Sequence, residues 1–289
     1  MLQQSAKISA YSNPMGKGLI IIIKLTDIEF DRMTTYLYDN YGINLKKKRT
    51  LIEGRLNRTL FEGGYADYTS YLNDVLSDVS GAKVQNLINK LTTNHTFFMR
   101  EIEHFNYLRN EILPQIERTA RNKEIRIWSA GCSSGEEPYT LAMVIDDYFA
   151  AKKSMWRIKI LATDISMRVL DKAKEGIYAA DGMKDIPPSW RNRYFNKIDE
   201  NTYRINPKIR AEVEFRQFNL MKPILERNQF DLILCRNVMI YFDQITRRAL
   251  VDRLYDATKE GGYLFIGHAE SIMRGTSKYN YIKPAIYRK

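Results

Sequence analysis

Residues 128–139 read WSAGCSSGEEPY. An apolar run, IRIW, leads into them, and EPYTLAMVIDDYFA follows with apolar residues at three- and four-residue intervals. The stretch is therefore a turn between a strand and a helix. In open α/β sheets, ligands sit beyond the carboxyl ends of the strands. Gly131 and Gly135 lack a Cβ, which lets a ligand approach the main chain and permits unusual dihedrals. The pattern is G-x-x-x-G, not the G-x-G-x-x-G of dinucleotide enzymes, and no G-K-[ST] follows, so a P-loop is excluded. Glu136 and Glu137 decide the class of ligand. Carboxylates at such a turn repel phosphate and suit an ammonium group or hydroxyls.

Asp164 strengthens this reading. It ends ILATD, the next strand, where an acidic side chain accepts hydrogen bonds from both ribose hydroxyls. A nucleoside with a positively charged tail and no phosphate is S-adenosylmethionine. Taken singly, each feature has a plainer explanation: Glu136 and Glu137 favour a helix N-terminus, and Asp164 caps the following helix. On consecutive strand ends, together, they favour the cofactor.

Outward from this turn, β-rich and helical runs alternate. RIKILATD, SMRVLDKAKEGIY, FDLILCRN, QITRRALVDRLYDATKE, GGYLFIGH and PAIYRK follow in order, which predicts a parallel sheet covered on both faces. No helix separates the last two strands, so the final one is expected to insert antiparallel. Residues 191–218 break the alternation and read as a small inserted antiparallel subdomain. Residues 25–91 are helical, with Thr26 and Asp27 as caps, Glu29 in the first turn and a stop at Gly42. A connecting helix over 92–122 is expected to end near Pro114. Residues 1–24 form an N-terminal extension, in which LIIII (19–23) reads as a short strand or an artefactual addition. It is too short to cross a bilayer, and no cleavage pattern follows.

The 289-residue chain is 44% hydrophobic and 27% charged, enough for a normal core. Cys132 and Cys235 are too few for a disulfide framework or a cysteine zinc site. With no cleavage pattern after residues 19–23, a cytoplasmic protein is expected. The net charge of +11 favours an anionic partner.

Six blocks in order carry a resemblance: LTTNHTFFMRE (91–101), WSAGCSSGEEPYTLAM (128–143), LATDIS (161–166), FNL (218–220), CRNVMIYFD (235–243) and GGYLFIGHAES (261–271). Together, from about Leu25 to the C-terminus, they resemble the chemotaxis-receptor glutamate O-methyltransferases, the CheR family. The resemblance implies an all-α N-terminal domain before a class I S-adenosylmethionine-dependent methyltransferase fold. That fold is Rossmann-like, with a mainly parallel seven-stranded sheet and the inserted antiparallel subdomain. It implies methyl transfer to glutamates on cytoplasmic helices of methyl-accepting chemotaxis receptors, with S-adenosylhomocysteine as product. Cofactor contacts then fall to Asn94, Thr96, Arg100, Gly131, Glu137, Asp164, Asn219, Leu220, Arg236 and Asn237. The choice between Glu136 and Glu137 settles on Glu137. Arg100 and Tyr241 are expected nearest the methyl group and the incoming carboxylate. Such chemistry needs no nucleophilic side chain or general base, because a glutamate with a pKa of about 4.3 is already ionised.

The segment NLKKKRTLIEGRLNRTL (44–60) holds six basic residues against Glu53 alone. On a helical wheel Lys47, Lys48, Arg55 and Arg58 share one side, opposite Ile52, Leu56 and Leu60. Lys48, Arg55 and Arg58 are the expected contacts to glutamate-rich receptor helices. Family members that tether to a receptor C-terminal pentapeptide carry a glycine-rich loop in the subdomain. FNKIDENTYRINPK (195–208) is short and glycine-free, so a tether-independent enzyme is expected. His95, His104 and His268 lack metal-ligand spacing, and no metal is expected. Rival readings are a nucleic-acid methyltransferase and a non-catalytic adaptor. No basic stripe interleaved with stacking aromatics supports the first, so no nucleic-acid partner, no membrane insertion and a monomer are expected.

Overall fold

The computed structural model of the chain describes residues 8–12 and 19–289, which divide into two compact units between Thr93 and Asn94. In the first unit β1 (Ile8–Ser12) and β2 (Leu19–Ile23) pair antiparallel, so LIIII is a strand. The remainder of the expected 1–24 extension, apart from Lys24, lies outside the described residues. Helices α1 (Asp27–Tyr41), α2 (Arg49–Glu62), α3 (Tyr68–Leu76) and α4 (Ala82–Leu91) follow. Thr26 and Glu29 form a reciprocal capping box at the start of α1, and Gly42 ends it in the left-handed region. The apolar stripe Ile52, Leu56 and Leu60 is fully buried, as the wheel implies.

The cationic segment departs from expectation. α2 begins at Arg49, because the Asn44 carboxamide accepts from the Lys46 amide at 3.2 Å and turns the chain before it can become helical. Lys46, Lys47 and Lys48 therefore precede the helix and are exposed.

The second unit opens with a strap, residues 94–101, that leads into α5 (Ile102–Tyr107) and α6 (Leu113–Thr119). The expected helix end at Pro114 does not occur. A π turn, Leu108–Ile112, widens the helix just ahead of the proline, whose missing N–H and ring a regular α turn would not accommodate. The helix thus continues to Thr119.

The sheet and its covering helices are β3 (Glu124–Ala130), α7 (Glu136–Phe149), β4 (Arg157–Asp164), α8 (Met167–Glu175), β5 (Ile177–Ala179), α9 (Pro188–Tyr194), β6 (Phe195–Lys197), β7 (Thr202–Ile205), α10 (Pro207–Arg210), β8 (Val213–Gln217), β9 (Phe230–Cys235), α11 (Gln244–Ala257), β10 (Thr258–Ile266), β11 (Asn280–Lys283) and β12 (Ile286–Arg288). Seven strands form the main sheet in the order β11-β12-β10-β9-β3-β4-β8. It is parallel from β10 to β8, and β12 inserts antiparallel beside β10, as its sequence predicts. The fold is the α/β methyltransferase architecture with a mainly helical unit, begun by the β1–β2 pair, ahead of it.

Alternation along the strands fills two cores. Ile125, Ile127, Leu232 and Leu234 pack against the face covered by α7, while Trp128, Ala130, Ile233 and Cys235 pack against the face covered by α11. The inserted sheet, β5-β7-β6, begins at Ile177, ahead of the expected 191. Val213–Gln217, expected in the insert, is instead the edge strand of the main sheet, paired with β4. Its pattern of one buried residue among exposed ones hid that role, since an edge strand need not read as apolar. Among the described residues no helix is long and apolar enough to cross a membrane.

Candidate functional site

The strand order reverses around β3, which has β4 on one side and β9 on the other. A crevice at such a switch point is where open α/β sheets bind ligands. The carboxyl ends of β3, β4 and β9 bring residues 131–137, 164 and 236–241 to it.

Gly131 and Gly135 adopt φ of +89° and +97°, where a side chain is strained. A Cβ on Gly131 would lie 2.3 Å from Val238 Cγ2, and one on Gly135 would lie 2.8 Å from Ala173 Cβ. Bare glycine backbone at both positions is thus what lets Val238 and Ala173 pack against the turn. The loop's amides are likewise engaged inside the protein. Gly131 and Cys132 donate to the Thr163 carbonyl at 2.7 and 2.9 Å, Ser133 donates to Asp164 at 2.9 Å, and Gly135 donates to the Cys132 carbonyl at 3.2 Å. This is not an open phosphate cradle.

Asp164 is buried at the end of β4, its two oxygens accepting the amides of Ser133 and Ser166, each at 2.9 Å. Burial pushes its carboxyl above the usual range against these hydrogen bonds. Each oxygen keeps a lone pair, which suits ribose hydroxyls.

Glu137 and Glu136 part company. Glu137 accepts from Ser129 Oγ at 2.7 Å and from Arg236 at 3.0 Å, on the β3–β9 side. Glu136 turns to Ser134 Oγ at 2.8 Å and feels Lys172 on α8. Burial raises both carboxyls, and the Arg236 guanidinium opposes this at Glu137.

Arg236 is the hub. Its side chain is 2% exposed, and it holds Glu137 Oε2 at 3.0 Å, Glu101 Oε2 at 3.1 Å and the Arg100 carbonyl at 2.5 Å. Burial works against ionisation of Glu101 too, but Arg236 and the His268 amide outweigh it and hold that carboxyl below its ordinary range. Glu137 is the deeper of the two and remains shifted upward.

The strap is tied down by the same network. Ser133 Oγ donates to the Asn94 carbonyl at 2.9 Å, and the Arg100 guanidinium donates to the His95 carbonyl at 2.7 Å. Met99 and Glu101, on either side of Arg100, have φ of +61° and +56°, and Ser133 and Asn237 have +49° and +59°. Such non-glycine conformations persist where the surroundings over-determine them, and they gather at functional sites. The Phe218 amide joins the FNL segment to the Asp164 carbonyl at 3.0 Å, and Leu220 beyond it is buried.

Sequence reasoning gave no role to Glu270, yet it shapes the loop that carries Asn237 and Tyr241. Its buried carboxylate accepts the amides of Asn237, Ile240 and Gly267 at 2.9, 3.1 and 2.7 Å. Burial raises it, and those amides oppose the rise. Glu270 stands in a quoted motif, GHAES, but nothing in a linear sequence announces that three amides from two segments will converge on it. Glu101 and Ser129 were missed for the same reason. Sequence spacing likewise does not show that the structure gathers Glu101, His104 and His268. Both cysteines are buried and free, with thiols pushed well up by burial, so neither is a nucleophile.

In the helical unit the expected receptor contacts are not equivalent. Arg55 closes the C-terminal end of α4, donating to the carbonyls of Lys90 and Thr92 at 3.2 and 3.0 Å and to Thr93 Oγ1 at 2.9 Å. Arg58 is exposed and pairs with Glu62 at 2.7 Å, and Lys48 is exposed.

Comparison with known proteins places the chain in a family. Residues 94–287 match the family model described as "CheR methyltransferase, SAM binding domain", and residues 28–92 match "CheR methyltransferase, all-alpha domain". The chain is 43% identical over 272 residues to the chemotaxis protein methyltransferase of Borreliella burgdorferi, covering 92% of this chain and 96% of that protein. It is 36% identical to chemotaxis protein methyltransferase 2 of Vibrio cholerae, covering 89% and 90% of the two chains. The Escherichia coli chemotaxis protein methyltransferase is also 36% identical, with 90% and 92% covered.

Proposed function

The chain belongs to the CheR methyltransferase family and uses S-adenosylmethionine, and from that premise we propose that it esterifies glutamate side chains on the cytoplasmic helices of chemotaxis receptors. The observation that carries this reading is the turn after β3, whose amides are engaged internally while carboxylates stand at the strand ends. That donor set fits a cationic nucleoside. Asp164 would hold the ribose hydroxyls and Glu137 the ammonium group, with Asn94, Thr96, Asn219 and Leu220 around the remainder.

When bound, the cofactor supplies an electrophilic methyl group on a sulfonium. The chain's own residues have the simpler task of alignment, which is worth roughly 7–11 kcal/mol in well-oriented reactions. The receptor carboxylate is ionised at neutral pH, so no proton need be removed. Arg100, on a strap fixed by Arg236 and Ser133, positions that carboxylate by a forked pair of hydrogen bonds. Tyr241, next to Ile240 on the loop that Glu270 holds, would complete the same place. The exposed cations Lys46, Lys47, Lys48 and Arg58 suit the glutamate-rich face of a receptor helix.

Steady-state methylation of a receptor cytoplasmic fragment tests the division of labour. Arg100→Ala is expected to lower kcat at least about 10- to 100-fold, the worth of one of the two charge-assisted hydrogen bonds it removes. Glutamate at positions 46, 47 and 48 together should raise KM for the receptor and its salt dependence, with little change in kcat. An Arg100→Ala enzyme with unaltered kcat would remove Arg100 from the reacting centre.

The carboxylates predict a pH dependence. Because burial raises Glu137 and Asp164, the ionised forms that would bind cofactor are lost, as pH falls, ahead of ordinary carboxylates. Calorimetry should therefore show S-adenosylhomocysteine affinity declining while ordinary surface carboxylates are still charged. Affinity that stays flat down to about pH 4 would contradict the assignment.

The tether-independent mode has local support. β6 and β7 are joined by a tight turn, with the Ile198 and Asp199 amides donating to the Thr202 carbonyl at 2.9 and 3.3 Å. No glycine-rich loop extends this edge. Titration with a receptor C-terminal pentapeptide should give no saturable heat at micromolar concentrations, and a micromolar complex would overturn the inference.

A further inference from the structure

Three side chains next to the Arg236 hub form a cluster that methyl transfer does not use. His104, on α5, is 1% exposed, and neither ring nitrogen meets a hydrogen-bond partner among the described residues. Its ring lies on Phe265 with centroids 4.8 Å apart and planes 21° apart, which fixes its orientation. Its Nδ1 is 3.5 Å from Glu101 Oε2, beyond a good hydrogen bond. His268, half-exposed after β10, places Nε2 at 4.0 Å from the same oxygen, and the two imidazoles meet edge to face at 5.0 Å. The three donor atoms all lie within 4.8 Å of one another.

A buried imidazole with both nitrogens unanswered is costly, at roughly 1–3 kcal/mol for each unmet polar group. Two imidazoles and a carboxylate make a borderline-soft donor set, suited to Zn²⁺ and its neighbours and not to Mg²⁺ or Ca²⁺. Tetrahedral bonds of about 2.0–2.1 Å place ligand atoms roughly 3.3 Å apart. The Glu101–His104 pair is already near that spacing. His268, on an exposed segment, has to swing in by only about an ångström.

We propose that Glu101, His104 and His268 form a site for a divalent transition ion of the zinc class, and that its occupancy weakens cofactor binding. The route is short. Glu101 is shared with Arg236, whose other arm holds Glu137. An ion that draws Glu101 away leaves Arg236 to pair with Glu137 alone. It also adds positive charge beside the place where a cationic cofactor must bind. This antagonism rests on the reading that Glu137 takes the cofactor's ammonium group, whereas metal binding itself does not. By linkage, cofactor and ion must weaken each other by the same factor.

The test uses the full chain, free of any histidine tag. Titration with Zn²⁺ should show one ion per chain, Mg²⁺ should give no heat, and Co²⁺ should produce a visible spectrum of histidine–carboxylate coordination. His268→Ala, a change at an exposed position, should weaken zinc about tenfold or more, the scale seen when even an outer-shell partner is lost. It should also abolish zinc inhibition of methyl transfer. His104→Phe, which keeps the stack on Phe265, should act in the same way. Saturating S-adenosylhomocysteine should weaken zinc binding, and zinc should weaken S-adenosylhomocysteine binding by an equal factor. Zinc affinity unchanged in His268→Ala, or absent from the native chain, overturns the site. Zinc binding that is lost in His268→Ala but indifferent to S-adenosylhomocysteine keeps the site and overturns the antagonism through Glu137.

Discussion

Arg236→Met is expected to destabilise the protein by about 3–5 kcal/mol, the usual penalty for removing one partner of a buried ion pair. For a unit of this size that is on the order of 10 °C in Tm. Methionine keeps most of the volume, so lost packing is not the main term. What remains is a pair of carboxylates, Glu101 and Glu137, enclosed without their shared cation. The Arg100 carbonyl also loses its donor. S-adenosylhomocysteine binding should fall with stability, because Glu137 protonates or turns away and the strap loosens. Denaturant unfolding and calorimetry measure the two losses. Adding Glu101→Gln and Glu137→Gln should return much of the stability and none of the ligand affinity. A single Arg236→Met variant within 1 kcal/mol of the native chain would contradict the hub assignment.

The second large effect is at Gly131. Alanine there must adopt φ near +89° and place its Cβ 2.3 Å from Val238 Cγ2. Left-handed backbone costs about 1–2 kcal/mol for an L residue, and forcing a methyl into a filled space costs about 1–3 more. Gly131→Ala should therefore lose about 2–5 kcal/mol and displace the loop that carries Ser133 and Glu137. Val238→Ala in the same chain should restore the steric part and leave the dihedral part. Gly54→Ala supplies the contrast. It sits exposed in α2 with nothing within 4 Å of its would-be Cβ, and should gain roughly 0.5–1 kcal/mol. Equal stability of Gly131→Ala and the native chain would show that the turn is not strained as described.

These two residues mark what the sequence could and could not convey. The α/β class, the antiparallel last strand and the cap at Thr26 were legible, because they rest on period, propensity and local hydrogen bonding. The turn at 131–137 was legible as a site, but its packing inside the protein was not. Its glycines make room for Val238 and Ala173, and its amides answer Thr163, Asp164 and Cys132. Apart from Cys132, which lies within the turn, those partners are distant in sequence and adjacent only once the sheet has formed. The contacts of Arg55 were hidden in the same way, since a helical wheel shows its face and not the end of α4 that it closes. Val213–Gln217 was misplaced because an edge strand lacks the apolar signature of its neighbours. Glu101 and Glu270 were invisible because buried carboxylates take their meaning from convergence.

The central claim is that this crevice delivers a methyl group to a carboxylate. Methyl-labelled S-adenosylmethionine, incubated with the enzyme, a receptor cytoplasmic fragment and competing RNA, tests it most directly. The account predicts label on the receptor alone, released as volatile methanol by mild alkali, as an ester must be. Label that resists alkali, or that enters the RNA, would contradict it.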